Sequence, residues 1–557
     1  MKKEAKSMEW FKKGNKKYIL GIFVIAILLF LPMFLNPYYE NGDTLYHVAN
    51  LSSMVQVIQN NFFDGIFEKI LPFIGNNFGY GTRLFYPPLA HTVTAYMAYF
   101  LDFFSIDMLD AMKIMHFLVF LFSGIIMFYC SNRFFKDSKL SFIASLIYMT
   151  SAYHLNEIYV RDAETESKIL LFLRLILTTI KELFEGNKKL FYPLFIIGYV
   201  GGILSHFTLM IYFTIFLGIS MLFFHKKIFK KEFLVPFLKA CGLVLLFTLF
   251  FFEPLLEHKF LGNYRVYEKW VMSWGIQHTA LWGFEYFAPF AKDDIYFFFS
   301  IVTIIMLVAV ARYQRKTLKQ EKYKLVLIFG LLSLWLSTVY FPWIIMPYTF
   351  FMIQFGWRLV AFVILAVSFL APLAIKNVKS KVLYSLIVIG LVLSGFASIH
   401  FASTTPVDLS NIEYVYGMGW QREYLPVNAE TNKEYFDTRD DSIHFMEGNG
   451  SAIIIEDEVP YLKFQLDTVG FSSVELPRLF YFGYVLKDQD GKKYPVFENG
   501  NGFVQANLPS GTYTMDFEGS LVYKICFCIS MTTFVLVFFY IFGKIIFKLS
   551  KKRIKRK

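Results

Sequence analysis

Cysteine is nearly absent: Cys130, Cys241, Cys526 and Cys528 are the four in a chain of 557 residues. All four lie inside or at the edge of apolar stretches, so the sequence offers neither a disulfide framework nor a cysteine zinc site. Cys526 and Cys528, two apart on a helix, face different directions and cannot chelate as a CxxC turn does. Charge is scarce as well. Asp, Glu, Lys and Arg make up 18% of the chain, against roughly 25% in ordinary soluble domains, which excludes a soluble globular protein. Internal repeats and low-complexity segments are also missing. The basic clusters come without any DNA- or RNA-binding module, which argues against a nucleic-acid partner.

What fills the chain is apolar surface: 56% hydrophobic residues, 67 Phe and 35 Tyr, with mean hydropathy +0.47. Apolar runs of roughly 16 to 25 residues between Lys-rich clusters are long enough to cross a bilayer core as helices. The fold class read from this is an α-helical polytopic membrane protein. The tails 1–17 and 548–557 carry +5 and +7, together the formal net charge of +12. Both therefore read as cytoplasmic, in a plasma membrane protein. Residues 18–35 follow a basic stretch without a small-residue cleavage site and read as an uncleaved anchor.

From a cytoplasmic start, the span 18–35 leads to a long outer loop, 36–86. Within it, Val48, Leu51, Val55, Ile58, Phe62, Ile66 and Ile70 form a helical stripe over 47–71 that can lie on the membrane surface. The run 87–104, opened by Pro87-Pro88, reads as a dipping helix. Spans are expected at 109–130, 139–153, 167–183, 189–204, 207–224, 233–252, 294–311, 323–340, 358–375 and 382–400. With a last span at 521–547 the total is twelve, or thirteen if 87–104 crosses fully. The transmembrane domain is thus 18–400. Residues 401–520 hold 19 acidic and 8 basic residues and no apolar run, and read as a separate extracytoplasmic domain. Alternating segments at 451–456, 460–466, 478–486, 494–498, 502–508 and 512–517, divided by Gly448-Asn449-Gly450, Asp490-Gly491, Asn499-Gly500 and Pro509-Ser510-Gly511, predict a small β-sandwich.

Charged groups near the outer membrane face are few, so each is informative. In Asn41-Gly42-Asp43-Thr44-Leu45-Tyr46-His47, Asp43 and His47 are four apart and share one face of a helix that begins there. Such a carboxylate can take a proton from an incoming hydroxyl or hold a divalent cation, with the imidazole assisting; equally, Asp43 can simply cap the helix. Tyr159-Val160-Arg161-Asp162-Ala163-Glu164-Thr165-Glu166 is either a second acidic site or a solvated turn. At Tyr80 to Pro88, Arg83 and Tyr86 precede a proline-started helix, which is either a plain helix start or one whose free N–H groups meet an anion. Arg358, in Gln354-Phe355-Gly356-Trp357-Arg358, either snorkels to head groups or binds a phosphate. His206 sits at an outer span junction, as a cavity-lining or a structural histidine. Glu253, Glu257 and His258 belong to no motif.

Gly42-Asp43-Thr44 with Tyr46-His47, the Gly79-Tyr80-Gly81 to Phe85-Tyr86-Pro87-Pro88-Leu89 stretch and Gln354 to Arg358, joined by Glu423-Tyr424-Leu425-Pro426 and the Glu475-Leu476-Pro477 to Tyr484 region, carry a resemblance. The chain resembles the YfhO-like bacterial membrane proteins, and more closely the related multi-pass proteins labelled "6-pyruvoyl-tetrahydropterin synthase-related"; both resemble the GT-C glycosyltransferase superfamily. No histidine cluster of zinc-ligand spacing lies in 401–520 to support the synthase label.

The resemblance implies a GT-C-like fold and an inverting transfer of sugar from a polyprenyl-phosphate-linked donor, on the outer face, to a cell-envelope glycan (a cell-wall polymer) or a glycolipid. It implies Asp43 as the catalytic carboxylate, acting as base, with Asp162 or Glu164 in a second acidic motif. His47, Arg83, Tyr86, Arg161, His206 and Arg358 are the candidate substrate-binding residues. No metal-ligand set is assigned, although a divalent cation, Mg or Mn, is a candidate cofactor. Two readings from other classes stand beside it: a transporter or flippase of lipid-linked saccharides, which predicts charged residues near the bilayer midplane, and a non-catalytic membrane assembly partner in which Asp43 only caps.

Overall fold

The computed structural model describes residues 15–268, 279–287, 291–292, 295–400, 403–408 and 422–554. Residues 1–14 and 555–557 of the two basic tails, and residues 401–402 and 409–421 of the expected outer domain, lie outside the described residues. Two compact units make up the chain, one from Met1–Glu68, Pro87–Pro236 and Glu268–Gln421, the other from Lys69–Tyr86, Phe237–Tyr267 and Arg422–Lys557. Among the described residues, six helices are long and apolar enough to cross a membrane: Lys16–Leu35, Met108–Phe135, Lys231–Leu261, Gly356–Ile375, Lys381–Ile399 and Leu521–Lys544.

The first unit begins with α1 (Lys16–Leu35), uncharged after Lys17. α2 (Thr44–Asn60) and α3 (Asp64–Phe67) follow, while α4 (Thr82–Phe85) belongs to the other unit. The surface helix expected over 47–71 is corrected here: the helix stops at Asn60, and Val48, Leu51, Met54 and Ile58 are buried. They pack toward α5 (Leu89–Asp102), so Val48, Leu51 and Ile58 of the stripe serve the protein interior, whereas Phe62 and Ile66, beyond the end of α2, are exposed. α5 starts directly after Pro87-Pro88 and has 14 residues, a rise of about 21 Å, short of the ~30 Å hydrocarbon core.

α6 (Met108–Phe135) and α7 (Ser138–Met149) form a hairpin whose caps are written in its sequence. Asp107 Oδ1 accepts from the Asp110 N–H at 2.8 Å, Lys136 turns the chain with φ 55°, and Asp137 Oδ1 accepts from the Lys139 N–H at 2.8 Å. Next come α8 (Ala152–Tyr159), α9 (Glu164–Ile169) and α10 (Leu173–Phe184). The single span expected at 167–183 is therefore broken at 170–172. The carbonyls freed at the break find donors: Arg174 bonds those of Leu170 and Leu171, and Tyr148 Oη donates to Leu170 O at 3.0 Å, which removes the penalty an unpaired buried carbonyl carries. α11 (Lys188–Ser205) and α12 (Phe207–Leu222) flank His206. The unit closes with the short pair β1 (Ala291–Lys292) and β2 (Ile295–Tyr296), then helices Ile301–Tyr313, Glu321–Leu336, Val360–Leu370 and Lys381–Ile399.

In the second unit the long helices Lys231–Leu261 and Leu521–Ile554 meet where Ser530 Oγ donates to Leu246 O at 2.9 Å and accepts from the Phe250 N–H at 3.1 Å. Between them in sequence lies an all-antiparallel β region. Strands β3 (His444–Glu447), β6 (Ser472–Leu479), β10 (Phe503–Leu508) and β9 (Val496–Glu498) form one sheet in the order β3-β6-β10-β9. β4 (Gly450–Glu458), β5 (Tyr461–Thr468), β11 (Gly511–Phe517), β7 (Tyr484–Asp488) and β8 (Lys493–Tyr494) form the other, in the order β4-β5-β11-β7-β8. Alternate residues of β5 (Leu462, Phe464, Leu466) and of β11 (Tyr513, Met515) are buried, the period-two pattern of strands with one core face. The single strand expected at 478–486 is two, β6 and β7. Pro477 and Arg478 fall in a bulge of the β6–β10 ladder, between the pairs Leu476↔Val504 and Leu479↔Phe503, which is where a central strand accommodates a proline.

Candidate functional site

The residues of the candidate site are gathered in the first unit around the turn 160–163 between α8 and α9. This turn is bonded to the start of α2 through the backbone: the Asp43 N–H donates to Arg161 O at 2.7 Å and the Gly42 N–H to Val160 O at 3.3 Å. Asp43 occupies the N-cap position of α2, yet its side chain makes no capping bond. Its Oδ2 instead takes the Arg161 Nη2 at 3.0 Å. Asp43 thus keeps its place at the helix start, while its side chain forms an ion pair and not a cap.

Arg161 is the hub of a buried ion network. Its Nη1 lies 2.8 Å from Glu157 Oε2 and 3.1 Å from Glu166 Oε1, and its guanidinium lies 4.4 Å from the centre of the Trp357 ring, a cation–π contact. Arg358 reaches the same Glu166 Oε1 through Nε at 2.9 Å, while its Nη1 donates to Ile353 O at 2.9 Å and Gln354 Oε1 at 2.7 Å. His206 Nε2 stands 3.7 Å from Glu166 Oε1. The Asp43 side chain is 44% exposed and that of Arg161 is 9% exposed, so Asp43 is the solvent-facing end of the network. Arg358 is buried; an arginine so placed does not snorkel to head groups, and that reading is corrected.

The two inner acids are driven apart. Burial raises the carboxyl of Glu157 above its ordinary range despite Arg161. Burial also acts on Glu166, but Arg161, Arg358 and His206 outweigh it and hold that group well below the carboxylate range. Burial lowers His206 against the pull of Glu166. Environments that separate the proton affinities of neighbouring acids are the usual device for assigning acid and base roles.

Asp162 points the other way. It sits in the turn at φ 52°, a left-handed conformation that Asp tolerates better than most residues. Its fully buried Oδ1 accepts from Tyr38 Oη at 2.8 Å and lies 2.8 Å from His116 Nε2. The Asp162 carboxylate thus holds Tyr38, just beyond the C-terminal end of α1, and helix α6 to the turn. Glu164, first residue of α9, faces a third group. Its Oε1 is bonded by Lys168 Nζ and Thr94 Oγ1. Its Oε2 lies 3.5 Å from His91 Nε2 and 3.9 Å from His47 Nδ1. Burial raises the Glu164 carboxyl, but Lys168, His91 and His47 outweigh it and hold it below the carboxylate range; burial lowers His47.

Of the residues singled out in the sequence, Asp43, His47, Arg161, Asp162, Glu164, His206 and Arg358 therefore share one neighbourhood. Arg83 and Tyr86 belong to the other unit; there Arg83 is buried in α4 and the Tyr86 ring lies 6.2 Å from that of Tyr424. Sequence reading passed over Glu157, His91 and Lys168. Glu157 stands four residues before Arg161 and Lys168 four after Glu164, the helical spacing of ion pairs; His91 is the one imidazole in the apolar run 87–104.

No family model matches the chain. It is 24% identical over 360 residues to a protein of Lactococcus lactis subsp. cremoris (strain MG1363) described as an uncharacterized protein, an alignment covering 62% of this chain and 57% of that relative's length.

Proposed function

We propose that the protein is a membrane glycosyltransferase of the GT-C kind, with Asp43 as the base that takes the proton of an acceptor hydroxyl and a polyprenyl-phosphate-linked sugar as donor. The single observation that carries this reading is the Asp43 carboxylate: it stands at a helix start without capping it, half-exposed, on the rim of a buried arginine-rich network. A phosphate-linked sugar departs as a phosphate, so the donor side needs positive charge more than a strong acid. Arg358 is suited to that task, since Nε and Nη1 are tied to protein acceptors and Nη2 is the arm that remains for a phosphate oxygen. Trp357, fixed under Arg161, gives the network a rigid aromatic wall. The acceptor in this reading is a cell-wall polymer or glycolipid on the outer face.

The test is transfer by the purified full-length protein in proteoliposomes supplied with polyprenyl-phosphate sugars and with envelope glycans from a strain deleted for the gene. Sugar transfer by the native protein that collapses in Asp43→Asn supports the reading. Movement of intact lipid-linked saccharide across the bilayer without any sugar transfer replaces it with the transporter reading.

A further inference from the structure

We propose that His47, His91 and Glu164 form a binding site for one divalent transition-metal ion of the zinc class. This stands on the three ligands alone and does not depend on the transfer reading. The residues come from three separate elements, α2, α5 and α9, and all three are buried. His47 Nδ1 and His91 Nε2 are 2.8 Å apart, His91 Nε2 and Glu164 Oε2 3.5 Å, and His47 Nδ1 and Glu164 Oε2 3.9 Å. A tetrahedral ion with bonds of roughly 2.0–2.1 Å places its ligand atoms roughly 3.3 Å from one another, so shifts of about half an ångström seat it on this triangle.

The carboxylate is prepared for one bond. Lys168 Nζ and Thr94 Oγ1 both engage Oε1, while Oε2 is buried and has no hydrogen-bond partner among the described residues. Outer partners that fix a ligating carboxylate in this way are a regular feature of metal centres. Lys168 places a positive charge beside the site, bonded to Oε1 of Glu164. Two imidazoles with one carboxylate suit zinc over magnesium or manganese, which prefer oxygen and water ligands. Without the ion, His47 Nδ1–H donates to His91 and Nε2 accepts from the Glu164 N–H at 3.3 Å. With it, the proton moves to Nε2 and that long contact gives way. Bound, the ion ties the start of α2, and hence Asp43, to α9.

The experiment uses the full-length protein, purified in detergent through a tag without histidine. Elemental analysis should find about one zinc per chain. After chelator treatment, Co²⁺ should titrate to one equivalent with the visible absorption of a four-coordinate ion, and zinc should raise Tm. Changing an outer partner alone costs ~10- to 100-fold in affinity, so His91→Asn and Glu164→Gln, which remove a direct ligand, should weaken binding ~100-fold or more. His116→Asn, a buried histidine outside the triangle, should keep the ion. Asp43→Asn should keep the ion while losing transfer, which separates failure of this proposal from failure of the transfer reading. Folded, stripped native protein that takes up no Co²⁺ overturns the proposal and leaves an imidazole–imidazole hydrogen bond only. So does a His91→Asn protein with native metal content and spectrum. If both ligand variants fail to fold, the native titration alone decides.

Discussion

The Asp43 carboxylate and the Arg161 guanidinium, 118 positions apart in the chain, meet at 3.0 Å, and the same two residues are joined through their backbones by the 2.7 Å bond from the Asp43 N–H to Arg161 O. One side-chain and one main-chain contact fix the carboxylate in position relative to the acids behind Arg161. The carboxylate is held firmly and is still half-exposed.

Asp43→Asn preserves size and the helix start while removing charge and base. Transfer should fall by ~100- to 10,000-fold, the usual contribution of general-base catalysis. Because the pair is partly exposed, Tm should change little, in keeping with the ~0–1 kcal/mol of such ion pairs. Turnover in proteoliposomes and a thermal melt on the same sample check both halves; near-native turnover would return Asp43 to a structural role.

Arg358→Lys probes the inner arginine. A lysine ammonium cannot reach Glu166 Oε1, Ile353 O and Gln354 Oε1 together as the guanidinium does. Leaving a buried acid partly unpaired costs a few kcal/mol, up to about 3–5, so Tm should drop. If Nη2 also holds donor phosphate, the apparent KM for the lipid-linked donor should rise at a temperature where the variant is still folded. A lowered Tm with unchanged donor KM and kcat makes Arg358 purely a support for Glu166.

Much of this architecture is written locally. Apolar runs mark α1, α6 and Lys381–Ile399, Asp490-Gly491 sits at the reversal between β7 and β8, and Gly448-Asn449-Gly450 sits where the chain passes from one sheet to the other. What could not be read depends on partners distant in sequence. The break at 170–172 rests on Arg174 and Tyr148 satisfying loose carbonyls, and strand β6 tolerates Pro477 only because a bulge opposes it. For Asp43, the capping sequence did not reveal that its side chain would pair with Arg161, 118 positions away. His91 looked like part of an apolar helix because its neighbours in space, His47 and Glu164, come from elsewhere in the chain.

Asn449→Cys in a protein freed of its four cysteines tests the side of the membrane on which the β region lies. Asn449 is exposed in the turn between β3 and β4, so a thiol there is reachable without unfolding. The positive-inside rule reads both tails as cytoplasmic; on that reading an impermeant thiol reagent should label it on intact cells. Labelling only after lysis would reverse the orientation and put the β region inside.

Glu475 gives the second unit an acid limit. It is fully buried, with Oε1 accepting from Arg439 Nε at 2.7 Å and Tyr435 Oη at 2.6 Å, and Oε2 bonded by Asn499. Burial raises its pKa, but Tyr435, Arg439 and Asn499 outweigh that, so the folded value lies below the ordinary one. A depressed folded pKa contributes stability that is present above the unfolded value near ~4.3 and lost as pH falls toward the folded value. Amide-exchange protection in β6 and β10, corrected for intrinsic rates, should therefore hold near neutral pH and fall below about pH 4. Glu475→Gln leaves Arg439 buried without a counter-charge, which costs ~3–5 kcal/mol, and removes the titrating group. Its protection should be lower at pH 7 and should lose the part of the acid slope that belongs to this carboxylate. Native protection at pH 7 together with an unaltered acid slope in the variant would move the acid sensitivity to another group.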